Sequence, residues 1–329
     1  MCKFARQFVL AGFALALGAG SFDAQENPCL TRTVAVNVIG SEDEAVKGLD
    51  AARFRGKYHG QNAEIVSAKY DTGPRKILFL IDTSGAMLAD QAKWKSELVM
   101  AEGVISWMPP QTWFGLVTFA GRPDLLTGFI QGRKGVNEAL ARLETPTLAN
   151  ETLEFFPTMT ESILHGFKSL GDVHAGDVIC VISDGAGDPG QARKDEVEQT
   201  LLAKGIRLFG FLPESALPDR PASPETSAGP AMLRDLIGAT GGDYLIFSAS
   251  PPRAPNSPPS APAALSDQDR SKILVASRSF AEEMNELYLL QIKLPAPVGE
   301  TREWTLVAES KGKDSNLRVI YPRRLAKCP

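Results

Sequence analysis

The chain has 329 residues, with 43% hydrophobic and 22% charged side chains and a formal charge of −4. That length suits two domains rather than one, and the apolar share is enough for a sizeable core. Mild acidity, with no basic run interleaved with aromatics, excludes an electrostatic case for nucleic acid or an anionic membrane surface.

The first element in chain order is a secretory signal over residues 1–24. Lys3 and Arg6 form a short positive region, and Phe8 to Ala19 is mostly apolar. That run is shorter than the roughly 20 residues a bilayer span needs. Small residues follow, and Ala24 is the expected last residue before cleavage, although Phe22 is large for its position. A retained membrane anchor is the rival reading. No lipid-attachment cysteine follows, because Cys29 sits after Glu-Asn-Pro. Cleavage would remove Lys3, Arg6 and Asp23, a net +1, and leave the mature chain near −5. It would also leave Cys29, Cys180 and Cys328. Cys180 lies inside Val-Ile-Cys-Val-Ile and reads as an inert core thiol. Cys29 and Cys328 stand at the two mature ends and are expected to pair in an oxidising compartment. A free tail at each end is the alternative.

Residues 30–72 read as a small β element. Val34, Val36 and Val38 alternate with polar or small neighbours, Phe54 and Tyr58 share one face, and Val66, Ala68 and Tyr70 alternate after a turn at His59-Gly60-Gln61-Asn62. Residues 76–248 change rhythm. Apolar runs at Ile77–Ile81, Phe114–Phe119, Val178–Ile182, Ile206–Phe211 and Tyr244–Phe247 alternate with amphipathic stretches near 89–108, 135–143, 160–170, 191–204 and 230–239. Such alternation predicts a largely parallel sheet covered on both faces. Phe114–Phe119 and Leu125–Ile130 are close enough to form a hairpin, hence one antiparallel strand.

Residues 213–230 read as a long loop. The segment 249–266, dense in Pro, Ser and Ala, reads as a linker. The final part, 267–329, opens with a helix over 267–286. Alternating strands follow at Tyr288 to Leu294, at Trp304, Leu306 and Ala308, and at Leu317, Val319 and Tyr321. The expected architecture is an α/β domain inserted into a small all-β sandwich formed by both chain ends. A Cys29–Cys328 bridge fits it, tying the first strand to the last.

The most informative stretch is Ile77-Leu-Phe-Leu-Ile-Asp-Thr-Ser-Gly-Ala86. An apolar strand stops at Asp82 and Ser84, before a helix. In open α/β sheets, ligands bind at the carboxyl ends of strands. Asp82 and Ser84, two apart in a tight loop, can offer oxygen to one hard divalent cation. Val181-Ile-Ser-Asp184-Gly185 repeats the pattern and can bring a second carboxylate to the same edge. Capping and turn formation are the bland alternative for all three residues.

These residues resemble the von Willebrand factor A (vWA) family. Its metal-ion-dependent adhesion site (MIDAS) uses Asp-x-Ser-x-Ser, a distant Thr and a distant Asp. The resemblance covers about 76–248 and implies a Rossmann-like, mostly parallel sheet between helices. Asp82 and Ser84 match the first two ligands and Asp184 the last. Ala86 stands where a second Ser is usual and has no oxygen to give. Thr160 is the choice for the distant Thr, although a shifted alignment places Glu161 there. Asp188 reads as a loop residue rather than an extra ligand. The implied cofactor is Mg²⁺, or Mn²⁺ or Ca²⁺. The implied partner is a protein that completes the ion's shell with an acidic side chain. The segment Val46-Lys-Gly-Leu-Asp-Ala-Ala-Arg-Phe54, with Gly60 and Ile65, also resembles the leader of the exported vWA-related proteins common in Acidobacteria. Arg53 departs from the Asp usual there.

Enzyme chemistry finds little support. Asp71-Thr72-Gly73 lacks the apolar approach of an aspartic protease. His59, His165 and His174 sit in no recognisable nucleophile–base arrangement. A metal-free scaffold is the remaining alternative.

Overall fold

The computed structural model describes residues 29–88, 90–120, 123–144, 159–183, 185, 191–213, 224–247, 265–310 and 317–328. The expected signal segment 1–24, the expected linker 249–266 up to residue 264, Asp184 and Asp188 lie outside the described residues.

Six strands form the sheet of the α/β layer: β4 (Lys76–Asp82), β5 (Trp113–Phe119), β6 (Pro123–Gln131), β7 (Val178–Ile182), β8 (Arg207–Pro213) and β9 (Tyr244–Phe247). Their order is β6-β5-β4-β7-β8-β9. All pairings are parallel except β5 with β6, the expected hairpin. The central strands β4, β7 and β8 are continuous apolar runs because both faces are covered, whereas the edge strand β6 is mixed and largely exposed. Along β4, Ile77, Phe79 and Ile81 enter one core while Leu78 and Leu80 enter the other. Helices α2 (Gln91–Trp107), α3 (Lys134–Leu143) and α7 (Asp267–Asn285) cover the first face. Helices α4 (Met159–Ser169), α5 (Gln191–Lys204) and α6 (Pro224–Thr240) cover the second. From β4 the chain steps one way to β5 through α2, and from β7 the other way to β8 through α5. Right-handed crossovers in opposite directions place their helices on opposite faces, as here. A single-turn helix, α1 (Gly85–Leu88), precedes α2, which Asp90 caps by accepting the N–H groups of Ala92 and Lys93.

One expectation is corrected. The stretch 213–230 is not wholly loop, because α6 begins at Pro224. A proline tolerated in a first helical turn starts this helix, and its Pro, Ser and Gly content hid it.

The second layer is a curled antiparallel sheet. It is built from β1 (Thr31–Ile39), β2 (Phe54–Tyr58), β3 (Gln61–Asp71), β10 (Leu287–Lys293), β11 (Arg302–Ala308), β12 (Arg318–Ile320) and β13 (Arg324–Leu325). The order β12-β1-β10-β3-β2-β11-β13 interleaves strands from both chain ends. Tyr321 to Arg323 alone separate β12 from β13, so the sheet's two edges must curl toward each other. His59 and Gly60, with φ of 53° and 74°, make the two-residue turn between β2 and β3. Val34, Val36, Val38, Phe54, Tyr58, Leu290, Trp304 and Leu306 form this core. Tyr288 clasps the segment before β2: its hydroxyl donates to the Val46 carbonyl and accepts the Leu49 N–H, both at 3.0 Å. Cys29 and Cys328 are joined, with Cα atoms 5.4 Å apart.

Two polar clusters tie the layers together. At the end of α7, buried Arg207 donates through Nη2 to the Met284 carbonyl at 2.6 Å. Through Nη1 it donates to the Glu283 carbonyl at 3.1 Å and to Asn37 Oδ1 at 2.6 Å. Asn37 of β1 donates to the carbonyls of Glu283 and Glu286. Arg75 reaches the Asn285 carbonyl and Asp71. Across the molecule, Arg324 of β13 pairs with Glu198 of α5 at 2.6 Å and with Asp235 of α6 at 3.2 Å.

The first cluster carries a pH dependence. Burial, and then the neighbouring Asp243, push the Glu283 carboxyl from 4.5 up to about 7; Arg318 and Arg207 oppose the shift and Asp43 adds to it. The folded chain therefore holds this proton at pH values where the unfolded chain has lost it. Stability from this group is fully present below about 4.5 and declines as pH rises to about 7, by about 2–3 kcal/mol. Glu283→Gln is expected to match the parent near pH 4.5 and exceed it by about 2 kcal/mol at pH 8 in urea denaturation. Equal stability of the two at pH 8 would remove the assignment.

Candidate functional site

Strand β4 sits where the chain's direction of winding reverses, with β5 on one side and β7 on the other. The crevice beyond the carboxyl ends of such strands is the fold's natural ligand site. Residues Ile81 and Ile182 are register partners, so the next residues, Asp82 and Ser183, emerge side by side. The Ser183 hydroxyl donates to Asp82 Oδ2 at 2.7 Å. The Ser84 N–H donates to Asp82 Oδ1 at 2.9 Å. Asp82 is 4% exposed. Both carboxylate oxygens thus accept a hydrogen bond, which fixes the group's orientation. The Ser84 carbonyl starts the next turn by accepting from Met87 and Leu88. Thr83 continues the ladder to β5, its N–H donating to the Phe119 carbonyl at 2.8 Å.

The loop after β7 is shaped by a glycine. Gly185 has φ of 73°, and its N–H donates to Ser183 Oγ at 3.0 Å. A Cβ there would lie 3.0 Å from the Pro230 backbone of α6. Only glycine suits both the conformation and the space.

Thr160 reaches this end through α4. At the other end of the helix, Lys76, which opens β4, donates through Nζ to the Leu170 carbonyl at 2.8 Å. In its middle, Gly166 lies over Leu78 and Leu80. The helix therefore runs antiparallel to β4, and its first turn, with buried Thr160 and Ser162, lies toward the carboxyl edge. The structure brings Asp82 and Ser84 into direct contact and sets Thr160 at the same end of the sheet. Asp184 lies outside the described residues. Ala86 brings no side-chain oxygen.

The donors here are hard oxygens, in keeping with Mg²⁺, Mn²⁺ or Ca²⁺ rather than a soft ion. Among the described residues, no group of three or more His, Cys, Asp or Glu could hold a metal. Ser183 is the residue the sequence reading missed. Its signal was present: with β4 and β7 as parallel neighbours in register, the residue after Ile182 must stand beside the residue after Ile81.

Outside this edge, no nucleophile–base pair forms among the described residues. His59, His165 and His174 are exposed and lie on a hairpin turn, a helix and a loop. Asp71 is paired with Arg75 at 2.8 Å. Cys180 is buried, and burial pushes its thiol pKa well above the usual range. No described helix is long and apolar enough to cross a membrane.

A family model agrees with this geometry. Residues 77–186 match the family model of the von Willebrand factor type A domain. Among solved structures, the chain is similar to BatB from Bacteroides thetaiotaomicron, at 15% identity over 64% of this chain and 98% of that one, with a TM-score of 0.43. It is also similar to a von Willebrand factor type A protein from Catenulispora acidiphila, at 12% identity over 89% and 73%, TM-score 0.44. A third is proximal thread matrix protein 1 from the mussel byssus with a zinc-occupied MIDAS motif, at 12% identity over 68% and 48%, TM-score 0.44. No curated protein matches. With its sheet order, its switch point at β4 and β7 and the family match over that region, the chain contains a von Willebrand factor type A domain.

Proposed function

We propose that this is an exported protein-interaction module whose vWA domain captures an acidic group of a partner protein through a divalent cation. The observation that carries the reading is the fixed, buried Asp82 carboxylate at the switch point, held by the Ser84 N–H and the Ser183 hydroxyl. Asp82, Ser84, Thr160 and Asp184 would hold the cation, which would supply a positive centre with an open position for a carboxylate. Asp82 is the central ligand or the anchor of its water, and Asp184 balances charge from the neighbouring loop. Ser183 orients Asp82. Domains of this family are typically non-catalytic interaction modules, in keeping with a binding role. The apolar run after Lys3 and Arg6 supports export, and the joined Cys29 and Cys328 suit an oxidising compartment. The Val46–Phe54 segment supports a place among the exported vWA-related proteins of the Acidobacteria type.

Titration calorimetry of the chelator-stripped, exported chain with Mg²⁺ and then Mn²⁺ tests the site. One saturable site is expected, absent in Asp82→Asn, which keeps an acceptor oxygen for Ser84 and loses the charge. The variant's far-ultraviolet circular dichroism is expected to match the parent's. Undiminished affinity in Asp82→Asn would refute the assignment. Ala86 favours a second reading, a metal-independent scaffold; no binding of either ion by the free chain would put that reading first.

A further inference from the structure

The open side of β1 lies at the amino end of the parallel sheet, opposite Asp82. Leu30 and the even-numbered residues of β1 turn their main-chain groups toward β10, as the Leu294 N–H to Leu30 carbonyl bond of 2.8 Å fixes. In an antiparallel ladder, the alternate residues then present N–H and C=O the other way. For Asn37 and Ile39 that other side is β12. For half-buried Thr31 and exposed Thr33 no described strand is there, while Ala35 beyond them is buried.

The chain's last segment runs past this edge without pairing to it. It is antiparallel to β1 and held at two points, Asn37 opposite Ile320 and Cys29 joined to Cys328. These points are eight residues apart on both strands, so they lie in one register. Between them the segment bows away: Arg324 and Leu325 pair with β11 instead, and the Cys328 N–H donates to the Val298 carbonyl. The result is a slot of about 400 Å³, walled on its far side by the turn from α5 to β8 around Gly205. Its volume is within the range of ligand sites. Arg207 and Arg324 at its wall are committed to α7 carbonyls and to Glu198 and Asp235. Exposed Lys204 and Lys327 line it as well, and no Asp or Glu does among the described residues.

We propose that this slot binds a short, extended acidic peptide segment of a partner, whose main chain adds to β1 as a further strand at Thr31 to Thr33. An unpaired edge supplies ladder hydrogen bonds, and the basic lining selects acidic side chains on the added strand. This site is separate from the metal edge and needs no cation.

Fluorescence anisotropy of the exported, disulfide-intact chain, in the presence of chelator, tests it with a fluorescein-labelled Val-Glu-Val-Glu-Val peptide. Saturable binding is expected, at least about tenfold weaker for the Val-Lys-Val-Lys-Val counterpart and for Lys204→Glu/Lys327→Glu. Thr33→Pro removes one outward N–H while leaving the β10 ladder intact, and it is expected to weaken binding comparably. The same peptide N-methylated on alternate amides makes that test from the ligand side on the unaltered protein. No saturation by about 1 mM peptide would overturn the proposal. So would undiminished binding of the N-methylated peptide in both alternations, or glutarate binding as tightly as the peptide, since glutarate has no main chain to add. Because chelator is present throughout, loss of metal binding in Asp82→Asn leaves these outcomes unchanged.

Discussion

Replacing Arg207 with Ala is expected to cost about 3–5 kcal/mol of folding stability, the scale for removing one partner of a buried charged cluster. Arg207 is 1% exposed and takes its guanidinium into a site with several acceptors. Burial, and then the nearby Arg75, push its pKa down to about 9, so it stays charged at neutral pH and must be held by acceptors. The Glu283 and Met284 carbonyls supply them at the C-terminal end of α7, where the helix dipole is negative. Asn37 of β1 supplies another, and Phe209 lies beneath, its ring centroid 5.0 Å away. Truncation would strand α7 carbonyls in a dry site and remove a link among β8, α7 and β1 together. Arg207→Met, which fills the space without the donors, is expected to lose less than the alanine variant and still more than 1 kcal/mol. Urea denaturation of the three proteins measures the order. A loss below 1 kcal/mol in Arg207→Ala would mean that α7 is held by its apolar contacts alone.

What the sequence made legible, and what it did not, divides along physical lines. The central strands of the α/β layer were readable because they are apolar runs with both faces buried, and β4 ends in Asp82 and Ser84 in a short loop. The interleaving of both chain ends in one sheet followed from period-two alternation at each end. The place of α7 was less visible. Its buried positions, Ile273, Phe280 and Met284, are legible, but periodicity does not say which layer they enter; contact with α2 decides it. The helical start at Pro224 was masked by residues that favour loops elsewhere. The open side of β1 is a matter of register alone, since no residue type marks an edge left unpaired. Arg207 is legible only as a charge opening an apolar strand, and its partners lie as far as 170 positions away in sequence.

The bond between Cys29 and Cys328 is expected to contribute as much as Arg207, by a different route. It closes a loop with a sequence separation of 299, nearly the whole described chain. Constraint of the unfolded state grows with the logarithm of loop length, and chain entropy gives about 6 kcal/mol for a loop this long; removal of such bonds typically costs about 2–5 kcal/mol. The native cost of the bond is small where folding has already brought its ends together. Here β1 and β12 pair at Asn37 and Ile320, and Cys328 is held by its bond to the Val298 carbonyl, so the two ends meet without it. Cys29→Ser/Cys328→Ser is therefore expected to fold to the same secondary structure and melt roughly 10 °C lower. The parent measured in reductant should fall to the same point, and the variant should not respond to reductant, because Cys180, the one free cysteine among the described residues, is buried. A variant that melts with the parent would show that the ladder between β1 and β12 already constrains the ends. A variant that loses its near-ultraviolet signal at room temperature would show the reverse: the first and last strands of the curled sheet would then depend on the bond to stay together.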